Sequence, residues 1–188
     1  LLGTGTTNYV AAVVREGETR AVAAVDASTG ECVVTSVGDD ARLVAELDRL
    51  APAELLVGPD ATVDREALSV DPMETDHPAA KLDAGAATDR LEAYVSSPAA
   101  VLESVAERRA CGAVLAYAEW TQGDDGPLEY VTRVRRYDPR DALALDATAV
   151  RSLELFENRG AGGSATLFSV LDETACALGR RRLTDWLR

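Results

Sequence analysis

Three short apolar runs joined by tight polar turns constrain this chain more than any other feature. Residues 8–14 (Asn-Tyr-Val-Ala-Ala-Val-Val) are followed by Arg15, Glu16, Gly17 and Glu18. Residues 19–26 turn apolar again and close at Asp26. Asp26-Ala27-Ser28-Thr29-Gly30 then supplies side-chain oxygens and a glycine able to take positive φ, and residues 31–37 are rich in β-branched side chains. Strand-sized runs with connections this short can only pair with their neighbours, so an antiparallel meander is expected.

The hydrophobic period then changes. Leu43, Val44, Leu47 and Leu50 recur at helical spacing after a capping Asp39 or Asp40, and Pro52 stops the helix. Glu54 to Val57 reads as a short strand ended by Gly58-Pro59. Reached through a helix, it suits parallel pairing in the same sheet. Thr62 can cap one more turn, and residues 69–80, with Pro72, Met73, His77 and Pro78, read as a loop. Asp83 starts a helix carrying Leu91 and Val95. Ser97-Pro98 starts another, with Val101, Leu102, Val105, Val114, Leu115 and Ala118 on its apolar face and a break near Gly112. After the turn Gly123 to Pro127, residues 128–137 alternate as a last strand. From Arg140 only helical texture remains: one helix opening at Leu145-Asp146, a flexible link from Gly160 to Ser164, then helical pieces at Thr166–Asp172 and Leu178–Leu187. Three strands, a helix and a parallel strand are the order of a ribonuclease-H-like α/β fold. The trailing helices have no sheet to close a core and read as the start of a larger helical domain. Beginning at Leu1 rather than Met, the chain is expected to be an excised piece of a longer one.

Charge divides the chain the same way. Residues 1–132 hold 9 basic and 24 acidic side chains, whereas residues 133–188 hold 10 and 8. An acidic body opposes direct nucleic-acid binding, because phosphate contact calls for Lys and Arg. With Lys81 the only lysine, no isoleucine and abundant alanine, the composition is that of salt-adapted proteins, in which surface carboxylates serve solvation. No apolar run approaches the ~18 residues of a membrane helix. Cys32, Cys111 and Cys176 are far apart, odd in number and set among apolar neighbours, so all three are expected to be buried free thiols in a reducing, cytoplasmic setting.

Few residues are placed for chemistry. A two-metal nuclease on such a fold needs clustered carboxylates beginning on the first strand, and Tyr9 to Val14 has none; Asp26 reads as a turn former. Gly3-Thr4-Gly5-Thr6 precedes a strand, so no helix dipole backs it as an anion loop. His77, the only histidine, reads as a solvated loop residue without a Cys partner, and Ser164 lacks a nucleophile-elbow frame. Arg180, Arg181 and Arg182 read as a solvated helix face. The candidates for contact with a DNA backbone or a partner are Arg133, Arg135 and Arg136 on the last strand. Arg133 and Arg135 share one face and Arg136 takes the other. Catalytic, cofactor and metal residues are each expected to be none.

Several segments carry a family resemblance. Asn8-Tyr9 leading to Asp26-Ala-Ser-Thr-Gly-Glu31, Ala51-Pro-Ala-Glu-Leu-Leu-Val57, and Gly112-Ala-Val-Leu-Ala-Tyr-Ala-Glu-Trp-Thr-Gln122 resemble the connector domain of MutS mismatch repair proteins. Tyr137-Asp138-Pro139, Leu145-Asp146-Ala147, Leu153-Glu-Leu-Phe-Glu-Asn158, Thr166-Leu-Phe-Ser-Val-Leu-Asp172, Gly179-Arg-Arg181 and Trp186-Leu187 are similar to that family's entry into its core domain. The resemblance implies a connector over residues 1–139 and the first core helices over 140–188. It also implies that the family's mismatch-reading Phe-x-Glu motif and its Walker A loop lie elsewhere, since neither occurs here.

The same resemblance implies a non-enzymatic segment with no cofactor of its own, inside a homodimeric parent that binds mismatched DNA and uses ATP and Mg. The connector would relay nucleotide state between the DNA-binding and ATPase parts and help dock a MutL-type partner, away from any membrane. Two other readings stand beside it. A degenerate nuclease of the same fold would show carboxylates within ~4–6 Å of one another. A MutS relative acting in recombination would lack the Phe-x-Glu motif in its neighbouring domain.

Overall fold

The structure, a computed structural model, describes residues 9–123, 126–139, 147–156 and 166–187. The Gly3–Thr6 loop, the helix opening at Leu145-Asp146 and the Gly160–Ser164 link lie outside the described residues. The chain divides into two compact units, one holding the described residues 9–139 and the other the described residues from 147 onward.

The first unit is a six-stranded mixed sheet with helices on both faces. Its strands are β1 (Tyr9–Glu16), β2 (Thr19–Asp26), β3 (Glu31–Val37), β4 (Glu54–Val57), β5 (Met73–Glu74) and β6 (Arg133–Arg136), in the order β5-β4-β1-β2-β3-β6. β1, β2 and β3 form the expected antiparallel meander, and β4 returns parallel to β1 through helix α1 (Asp40–Leu50). The apolar runs are continuous rather than alternating because the central strands are covered on both sides. Ala11, Val13, Val22, Ala24 and Val33 pack with Leu43, Leu47 and Leu50 of α1. Ala12, Val14, Ala21, Ala23 and Val25 face the other way, toward α4 (Val105–Thr121).

Several expectations are corrected. Residues 69–80 are not one loop. Met73–Glu74 adds β5 parallel to β4, and Pro78–Lys81 forms a 3-10 turn. Asp64, not Thr62, holds the next turn, accepting from the N–H groups of Glu66 and Ala67. The helix from Ser97-Pro98 ends at once as α3 (Pro98–Val101), where Ser97 makes no side-chain cap bond. Ser104 then opens α4 with a capping box to Glu107. The break therefore comes before α4, and Gly112 sits within the helix. A Cβ there would lie 2.7 Å from the Ala87 Cβ, so its small size serves close approach to α2 (Ala84–Leu91). The last strand is only four residues long; Glu129-Tyr130 before it is a turn. Gly30 takes φ +71 beneath the Tyr130 carbonyl, where a Cβ would meet the oxygen at 1.9 Å. Cys32 and Cys111 are buried but Cys176 is exposed, because its segment joins α6 to α7 at a surface.

The second unit contains α5 (Ala147–Ser152), α6 (Leu167–Leu171) and α7 (Ala177–Leu187). Thr166 and Ser169 form a capping box at the start of α6, and the Phe168 N–H bonds the Leu155 carbonyl at 2.9 Å. Leu155 and Phe168 are buried, yet Leu153, Leu167, Val170, Leu171, Leu178 and Trp186 are exposed, Trp186 to 72%. Arg181 is buried, against the expected solvated face. Arg180 pairs with Asp172 and lies over the Phe168 ring at 5.1 Å.

Candidate functional site

Strand β6 carries the three candidate arginines and leads out of the first unit. It forms one edge of the sheet and pairs in parallel with β3 through the register Glu31↔Arg133 to Val34↔Arg136. Alternation puts Val134 and Arg136 on the α4 face and leaves Arg133 and Arg135 exposed on the other.

The three side chains do not form one patch. Arg136 reaches inward: its Nε bonds Glu107 Oε1 at 2.9 Å, and its Nη2 lies 3.1 Å from Glu103. Arg135 makes a long contact of 3.5 Å with Glu31 and lies over the Tyr137 ring at 5.7 Å. Arg133 is exposed.

Glu107 is the hub on the α4 side and is fully buried. It accepts from the Ser36 hydroxyl at 2.7 Å, from the Ser104 N–H at 3.1 Å and from Arg136. Burial alone would raise its carboxyl, but these donors outweigh burial and hold it below the usual carboxylate range. One residue thus caps α4 and fastens that helix to β3 and β6.

Tyr137 plays the matching part on the α1 side. Its hydroxyl donates to Glu46, accepts from Arg49 Nη2 at 2.8 Å, and its ring lies 5.0 Å from the Arg49 guanidinium. Burial pushes the Tyr137 phenol far up, with Glu46 adding to the rise and Arg49 opposing it, so it stays a neutral donor. The Tyr137 N–H continues the ladder to the Val34 carbonyl at 3.1 Å. Consecutive residues Arg136 and Tyr137 therefore fasten the exit strand to opposite layers.

At the opposite edge, Tyr117 donates to Glu54 at 2.5 Å, and His77 packs against Tyr117 and Trp120 with centroid separations of 5.1 and 4.5 Å. His77 is half-buried, and its Nδ1 accepts from the Ala79 N–H, so it is not the solvated residue its loop suggested. Glu119 is likewise taken up, by Tyr94 and Arg90. Asp26 closes its turn by accepting from the Ser28 N–H and hydroxyl. Among the described residues, no group of three His, Cys, Asp or Glu side chains is placed to hold a metal ion.

Sequence reasoning singled out the arginines and missed their partners. The Ser104-x-x-Glu107 spacing is a capping-box signal visible in the sequence, and Tyr137 stood in a family motif without a role. No local signal ties Glu46 to Tyr137, 91 positions away.

The sequence model of MutS domain II matches residues 8–131, the span that carries β1 to β5 and the α4 layer but stops short of β6. The chain belongs to the MutS family. It is 54% identical over 173 residues, 90% of its length, to the DNA mismatch repair protein MutS of Haloquadratum walsbyi, covering 18% of that protein. It is 45% identical over its whole length to the DNA mismatch repair protein MutS 2 of Haloarcula marismortui, covering 22% of it. The MutS of Thermus aquaticus is 38% identical over 96% of the chain, which covers 20% of that protein. The chain thus spans about a fifth of the length of these MutS relatives. The acidic, lysine-poor composition accords with relatives from halophilic archaea. Among the described residues, no helix is long and apolar enough to cross a membrane.

Proposed function

We propose that the first unit works as a non-catalytic mechanical connector. Its parent would bind mismatched DNA and hydrolyse ATP with Mg as a homodimer, and the unit would relay state between those two activities. The observation that supports this is the double fastening of the exit strand, Arg136 to Glu107 on α4 and Tyr137 to Glu46 and Arg49 on α1. A strand held to both layers moves with the whole sheet, so displacement at one end of the unit reaches the other without being absorbed in a loose hinge. Arg133 and Arg135, exposed on the free edge, are the residues for contact with a MutL-type partner or a DNA backbone; Arg136 is engaged internally.

The test uses the full-length parent. Tyr137→Phe, with or without Arg136→Met, should leave mismatch binding intact and reduce the stimulation of ATP hydrolysis by mismatched DNA. Arg133→Glu with Arg135→Glu should weaken MutL-type association while sparing that stimulation. Unchanged stimulation in the first pair would refute the relay, and unchanged association in the second would remove the edge arginines from partner contact.

A further inference from the structure

Cys32 of β3 and Cys111 of α4 meet in the middle of the first unit's core, where neither has a part in the proposed relay. Their Sγ atoms are 3.5 Å apart, both side chains have no solvent exposure, and both are free thiols. The neighbouring surfaces are built from small residues. Ala21 and Ala23 of the sheet face Ala106 and Ala110 of the helix, which lets α4 ride close to the strands. A disulfide bond is about 2.05 Å long, so the sulfurs need to approach by roughly 1.5 Å, a distance within reach of side-chain rotation and a small shift of a helix seated on alanines.

We infer that Cys32 and Cys111 are a latent disulfide site, closed by two-electron oxidants of the peroxide class. One thiol is oxidised by hydrogen peroxide to a sulfenic acid with release of water. The second attacks that sulfur, the S–S bond forms, and a second water leaves; in sum, two thiols and one peroxide give one disulfide and two waters. Full burial sets the kinetics. Neither cysteine is exposed to solvent in the closed unit, and contact with Cys32 together with burial holds the Cys111 thiol well above its usual pKa, so little nucleophilic thiolate is present. Oxidation therefore requires α4 to lift from the sheet. When the unit closes again, the bond is sheltered from reductants by the same burial. The cross-link joins residues 79 positions apart and fastens the central helix to the meander, so it records an opening event and prevents the next one.

The experiment uses the 188-residue chain carrying Cys176→Ser, which removes the exposed thiol. Hydrogen peroxide is applied in molar salt at zero, sub-denaturing and fully denaturing urea. Free thiols are then alkylated in denaturant, and the products are read by intact mass and non-reduced peptide mapping. The expected result is a Cys32–Cys111 cross-linked peptide with loss of two hydrogens, slow without urea and faster at sub-denaturing urea. The cross-linked form should have an unfolding equilibrium constant lower by roughly a thousandfold, read as a higher urea midpoint. Peptide mapping needs no substitution at either position, so a misfolded variant cannot obscure the answer. Cross-linking confined to full denaturant would overturn the inference. So would sulfinic or sulfonic products without a cross-link, or thiols that both stay alkylatable after exposure at sub-denaturing urea.

Discussion

Replacing Glu107 tests whether a single buried carboxylate holds α4, β3 and β6 together. Every group that contacts it is a donor: the Ser36 hydroxyl, the Ser104 N–H and the Arg136 Nε. Glu107→Gln keeps the volume but offers one acceptor oxygen where the carboxylate offered two, so one donor faces an amide N–H. That mismatch and the lost charge cost about 1–2 kcal/mol. Glu107→Ala also removes half of the capping box and leaves Arg136 without its buried partner. Breaking a buried ion pair costs ~3–5 kcal/mol when the remaining charge is stranded. Here Arg136 is 28% exposed and keeps Glu103 at 3.1 Å, which lowers the expected loss to about 2–4 kcal/mol. With a urea dependence of ~2 kcal/mol per molar, the Glu107→Ala midpoint should fall by about 1–2 M. Circular dichroism melts in molar salt suit the measurement, because a buried pair is screened far less than surface pairs such as Arg42–Asp39. The pH dependence supplies a second check. A carboxyl whose folded-state pKa is depressed contributes stability that is present above its unfolded value, near 4.5, and is lost as pH falls through the folded value. The wild-type advantage over Glu107→Gln should therefore shrink only below about pH 4.5. A Glu107→Ala midpoint within about 0.25 M of wild type, or an advantage over Gln that does not change in acid, would refute the hub assignment.

Gly30→Ala should destabilise the first unit by more than ~1 kcal/mol, because positive φ and the Tyr130 carbonyl both oppose a Cβ; an unchanged thermal midpoint would contradict the turn geometry. Melting temperature should rise between dilute buffer and molar salt, since 24 acids against 9 bases in residues 1–132 repel across a Debye length that reaches ~30 Å at 0.01 M; a flat response would disprove self-repulsion. Amide exchange should be slowest in β1–β3 and faster, or dependent on protein concentration, in α6 and α7, where Val170 and Trp186 are exposed; uniform, concentration-independent protection through residue 187 would mean those side chains need no further surface.

Much of this protein was legible along the chain because the deciding forces are local. The meander came from strand-sized runs and turns too short to allow any other pairing, and α1 came from Leu43, Leu47 and Leu50 at helical spacing after Asp39. The family was readable from ordered motifs alone. Tertiary structure decided what depends on distant neighbours. Met73–Glu74 is a strand only because β4 offers an open edge; its own residues carry no strand pattern. Gly112 lies within α4, where a Cβ would meet Ala87 of another helix, so a signal that reads as a breaker is in fact a packing contact. Strand alternation already sets Arg136 on the face opposite Arg133 and Arg135, but only the layers on either side decide which face is engaged. Glu107, 29 positions from Arg136, draws it inward and leaves Arg133 at the open edge. Likewise, pairing Cys32 with Cys111 required α4 to lie across β3, since thiols 79 positions apart share no local pattern. Short-range order is written in neighbouring residues; which charge is buried and which sulfur touches which is settled only when the layers close.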